Sequence, residues 1–136
     1  MVKISIVYEG SLHCRLTHEP SGNVIATDAP KDNNGKGEAF SPTDLVAAAL
    51  GSCMMTVMGI AAARHNIELK GTAVDVTKEM VVEPARRIGT IGVVLRMAPG
   101  IPADKRKMLE AAAHACPVHK SLHPDVQAPI EFIYPD

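Results

Sequence analysis

Cysteines stand at positions 14, 53 and 116 of a 136-residue chain. A thiol does chemistry as its thiolate, so each must be judged by what its surroundings do to its ionisation. Cys53 lies about midway along an apolar stretch from Leu45 to Ala63, where burial favours the neutral thiol. It reacts only if a cation reaches it from another part of the chain. Cys116 precedes Pro117 at what reads as a helix start, with His114 and His119 close by, and is by local sequence the more acidic thiol. Taken singly, each reads first as packing, because a free cysteine behaves as a small buried hydrophobe.

Other residues with chemical potential carry less. Cys14 alternates with Leu12 and Leu16 on one face of a short strand, which makes it a core thiol and sends Arg15 to the opposite face. Met54, Met55 and Met58 suit an apolar pocket, but read first as adaptable core filler. No two cysteines share the short ligand spacing of structural zinc, so no metal is expected. Gly35-Lys36-Gly37 lacks the remaining residues of a phosphate-binding loop.

The elements that must position these groups follow from pattern. Residues 3–8, 12–17 and 23–27 read as three short strands in a meander, and 28–40 as a polar loop. Ser41 to His65 is the central helix: Ser41 caps, Pro42 suits the first helical position, and Asp44 complements the free N–H groups. Arg64 and His65 suit its C-terminal end, and Asn66 takes the left-handed conformation that closes it. A helix apolar all round is a buried helix. It is long enough for a bilayer, but its Ala and Gly content, its polar Ser52 and Thr56 and its strand-like surroundings favour a core helix.

Two long antiparallel strands, 67–82 and 88–97, come next. A second helix over 103–115 buries Met108, Leu109, Ala112 and either Ala115 or Cys116. Pro117 ends it, and Cys116 caps a short third helix through Leu122. A strand over 128–134 closes an α+β order within a single domain, 1–136.

The core must be aliphatic, since the chain has no Trp and two residues each of Phe and Tyr. A net charge of −1, from 14 basic and 15 acidic residues, gives no reason to expect nucleic acid or an anionic membrane as partner. Three cysteines without a secretory signal point to a reducing compartment, the cytoplasm, and their odd number leaves at least one thiol unpaired within a protomer.

The segment FSPTDLVAAALGSCMM, followed downstream by HACPVHKSL, resembles the OsmC/Ohr family of osmotically inducible and organic hydroperoxide resistance proteins. The resemblance covers nearly the whole chain, including the order of elements. It implies an OsmC-like fold, with antiparallel sheets wrapped around central helices in an intertwined homodimer. It further implies a stress-response thiol peroxidase that reduces organic hydroperoxides without metal, haem or flavin. Cys53 is then the peroxidatic thiol and Cys116 the resolving thiol, joined as a disulfide in each cycle and reset by a dithiol reductant, of lipoyl type in some relatives. Family peroxidases hold the thiolate with an Arg and a Glu. By position these roles fall to Arg15, with Arg86 and Arg87 as rivals, and to Asp44, which is shorter than Glu. At about 1.5 Å of rise per residue, Asp44 lies roughly 13 Å along the helix from Cys53. It therefore orients an arginine or serves the helix start, and the capping role comes first. The alternative in another class is a small-molecule-binding or structural protein of the same fold, with thiols that only pack.

Overall fold

In a computed structural model describing residues 1–135, the chain forms six strands and three α-helices whose contacts group into two compact units, 1–46 and 47–136. The boundary falls inside the central helix.

The first unit holds β1 (Ile4–Tyr8), β2 (His13–His18) and β3 (Asn23–Asp28), an antiparallel sheet in sequence order. Tyr8 pairs with Cys14, and Cys14 with Thr27. Cys14 is half-buried and lies outside the apolar core, which corrects the expectation of a core thiol. Leu12, its supposed neighbour on that face, sits in the β1–β2 turn at φ 61° and is exposed. The loop after β3 carries one 3-10 turn, Lys31–Asn33. Its base is tied at Asp28, whose backbone N–H donates to the Phe40 carbonyl at 3.1 Å.

Helix α1 (Pro42–Ala63) begins and ends as its sequence dictates. The Asp44 N–H donates to Ser41 Oγ at 3.0 Å, and the Ser41 N–H donates to Asp44 Oδ2 at 2.9 Å. This reciprocal pair is a capping box with Asp in the usual Glu place. At the other end Asn66 adopts φ 55°, and the Ile67 N–H closes on the Ala62 carbonyl at 3.0 Å.

The second unit is built on a sheet of β4 (Ala73–Val81), β5 (Arg87–Arg96) and β6 (Ile130–Ile133), in that order. β4 and β5 are antiparallel, with a register shift at Glu79/Met80. β6 runs parallel to β5, so this sheet is mixed rather than purely antiparallel. The parallel pairing is possible because α2 (Arg106–His114) and α3 (Pro117–Ser121) supply the crossover between β5 and β6.

The core combines Leu50, Met54 and Met58 of α1 with Ile91, Val93 and Leu95 of β5, then Leu109 and Ala113 of α2, and Cys116. α1 presses closely on β4: a Cβ added at Gly51 would lie 2.6 Å from Val76 Cγ2. Although α1 is apolar throughout, only the stripe Ala47, Leu50, Gly51, Met54, Met58 and Ala62 is buried. Val46 and Ile60 stay exposed. By length and composition α1 is also able to cross a membrane.

Candidate functional site

Cys53 and Cys116 meet. The two belong to distant parts of the chain, yet within the second unit Cys53 packs against the core cluster that contains Cys116 and lies near enough to raise its thiol's pKa. α1 supplies Cys53 from beside its buried stripe, so this sulfur is half-buried. Met54, next to it, is completely buried, as is Met58 one turn on; both are core residues, and Met55 packs partly against the same core.

Cys116 is held from the other side. It is 0% exposed. Pro117 occupies the first position of α3, Cys116 is the N-cap, and its Sγ accepts a hydrogen bond from the His119 N–H at 3.4 Å. Burial pushes the Cys116 thiol up from its ordinary pKa, and the neighbouring Cys53 pushes the same way, against the weaker pull of the α3 amides. The expectation that a helix start would make Cys116 the more acidic thiol therefore fails, because desolvation outweighs the cap. The pair thus holds one half-buried sulfur and one fully buried sulfur, which suits two-step oxidation: attack by the first thiol, closure by the second.

The supporting residues are placed as follows. Arg15 lies on β2 in the first unit, about half exposed, with its Nε 3.6 Å from Glu9 Oε2. Asp44 forms the capping box at the start of α1. Arg87 donates from Nη1 to the Ile88 carbonyl at 3.2 Å, while its Nε is buried with no hydrogen-bond partner among the described residues. Among the described residues no group of three or more His, Cys, Asp or Glu side chains is arranged to hold a metal ion.

Three features escaped the sequence reading. The first is the bond from the His119 amide to sulfur; its signal, a proline after a cysteine with a residue at N3, was present. The second is Lys78, half-buried in phase with Val74 and Val76 on β4, which strand alternation alone reveals. The third is a buried Asp28 whose Oδ1 meets His13 Nδ1 at 2.6 Å and whose Oδ2 accepts the Glu38 N–H at 3.1 Å. His13 first holds the Asp28 carboxyl below its ordinary pKa, burial opposes this, and the Glu38 amide and the charges of His13 and Lys36 reinforce it.

Comparison with known proteins adds the following. The family model of OsmC-like proteins matches residues 35–131. A crystal structure from Psychrobacter arcticus 273-4, provisionally named as an osmotic stress induced and detoxification response protein, is 41% identical, with a TM-score of 0.91 over 97% of this chain and 96% of that one. The organic hydroperoxide resistance protein OsmC of Legionella pneumophila is 18% identical, with a TM-score of 0.76 over 98% and 96% of the two chains. The organic hydroperoxide resistance protein OhrB of Bacillus subtilis is 20% identical, with a TM-score of 0.72 over 97% of each. At these lower identities the likeness is one of fold. No match was found among curated proteins.

Proposed function

The chain belongs to the OsmC-like family, and on that premise we propose that it is a thiol peroxidase that reduces organic hydroperoxides through Cys53 and Cys116. One observation carries the reading: a half-buried Cys53 and a fully buried Cys116, far apart in the chain, are brought together in one core cluster. Accessibility assigns attack to Cys53. Its thiolate takes the terminal peroxide oxygen, the O–O bond breaks, and the leaving alkoxide takes up the proton the Cys53 thiol gave to solvent and departs as alcohol, while Cys53 becomes a sulfenic acid. Cys116 then attacks the sulfenic sulfur, an S–S bond forms, and the hydroxyl departs with the Cys116 proton as water. An external dithiol returns two electrons and two protons. The names of the Legionella and Bacillus proteins, which refer to organic hydroperoxides, support this substrate class.

From the family resemblance we take Arg15 as the candidate for activating Cys53, and to Asp44 we assign the fixing of the start of the helix that carries Cys53. The working form is a homodimer of one-domain chains. The partly exposed Val46 and Ile60 of this apolar helix support this, since burying the area they still show contributes roughly 1 kcal/mol each. Sedimentation as a monomer at micromolar concentration would contradict the dimer.

The peroxidase test is consumption of an organic hydroperoxide in the presence of a dithiol, by the native chain and by Cys53→Ser. Activity in the first and none in the second is expected. Equal consumption by both would leave the rival reading, a binding or structural protein whose thiols only pack.

A further inference from the structure

α2 and α3 are separated only by Ala115 and Cys116. The run AAAHAC from Ala111 to Cys116 consists largely of good helix formers and has no glycine. The element that stops the helix is Pro117, whose ring drives the preceding residue out of the α region. Cys116 accordingly has φ −56° and ψ 129°. That break turns Cys116 into the N-cap of a new helix: its carbonyl accepts from the Lys120 N–H at 3.1 Å, and its Sγ accepts from the His119 N–H at 3.4 Å. Sulfur is not what helix stability selects here. Ser, Thr, Asp and Asn cap better, so a cysteine at this place calls for a reason in its chemistry.

We propose that Pro117 is a positioning residue for disulfide closure: by breaking the helix at Cys116 it seats the resolving sulfur on the His119 amide, where it faces Cys53. This rests on the peroxidase reading above. Transfer of the peroxide oxygen to Cys53 forms and breaks no bond to Cys116, so the larger effect of Pro117 falls on the second step. Without the proline, α2 extends through Cys116, whose ψ turns helical, and Sγ loses both the cap bond and its fixed direction.

The test is Pro117→Ala treated with one equivalent of cumene hydroperoxide. Sulfenic acid at Cys53 is trapped with dimedone, and disulfide is followed by non-reducing mass spectrometry. The native rate of sulfenic acid formation is expected, with closure slowed roughly 10- to 100-fold, the loss typical of a misplaced reacting group. Sulfenic acid therefore accumulates, as it does without limit in Cys116→Ser. A folded Pro117→Ala that closes at the native rate overturns the proposal. Should Pro117→Ala fail to fold, the backbone ester at position 119, which removes only the N–H, takes its place. Slowed closure in that ester supports the proposal, and unchanged closure overturns it. A native protein that forms neither sulfenic acid nor disulfide overturns the peroxidase reading itself and this inference with it.

Discussion

Gly51 and Gly59 lie on the same helix, and the same substitution at each has opposite consequences. Gly to Ala in a helix interior gains about 0.8–1 kcal/mol from propensity alone. At Gly59 nothing lies within 4 Å of an added Cβ, so Gly59→Ala should stabilise by about that amount. At Gly51 the added Cβ would lie 2.6 Å from Val76 Cγ2 and 3.3 Å from Val74 Cγ1. Carbon atoms sit best at about 3.5–4.0 Å, so helix and sheet must part by roughly 1 Å. Overpacking of this kind costs about 1–3 kcal/mol, and Gly51→Ala should be destabilised by about 1 kcal/mol net after its propensity gain. Urea unfolding at one fixed protein concentration reads both; with a slope of about 1–3 kcal/mol per molar, 1 kcal/mol moves the midpoint by roughly 0.3–1 M. Gly51 is two residues from Cys53, so its variant should also close the disulfide more slowly. If Gly51→Ala gains as much stability as Gly59→Ala, the close packing of α1 on β4 is refuted.

Ser41→Ala removes the hydroxyl that accepts the Asp44 N–H and should cost about 1 kcal/mol in the same assay; an unchanged midpoint would deny the capping box. Met54→Ala empties a fully buried site and should cost about 2–5 kcal/mol, with a loss under 1 kcal/mol arguing that the site is not core. The tie at Asp28 has a defined pH window. Its folded pKa lies below the ordinary 3.8, so its contribution is complete above about 3.8 and is lost as pH falls further through the folded pKa. Hydrogen exchange should find the Glu38 amide protected at pH 6 and released in strong acid; equal protection at pH 6 in Asp28→Ala, which has no acceptor there, would refute the tie.

The helix α1 was readable because its signals are local. Ser41, Pro42, Asp44 and Asn66 each act within one turn, and each behaves as its chemistry requires. The break at Cys116-Pro117 was readable for the same reason. What sequence missed depends on partners distant in the chain. Cys116 looked acidic because the cap is local, while the desolvation that overrides it comes from packing against α1 and the sheet. The parallel direction of β6 is a property of the crossover, to which alternation within one strand is blind. Cys14 alternates correctly, but the turn takes Leu12 out of phase, so the expected core face does not form. The pairing of Cys53 with Cys116 came from family resemblance and not from spacing; folding brings both to one core cluster.

The central claim is that these two sulfurs form one redox pair. Its most direct test is non-reducing peptide mapping of the native protein after one equivalent of organic hydroperoxide, with all free thiols blocked at the moment of quenching. The account predicts a Cys53–Cys116 cross-link in the native chain, none in Cys53→Ser, and Cys14 still alkylated. Free Cys53 and Cys116 after peroxide, or a cross-link through Cys14 instead, would contradict it.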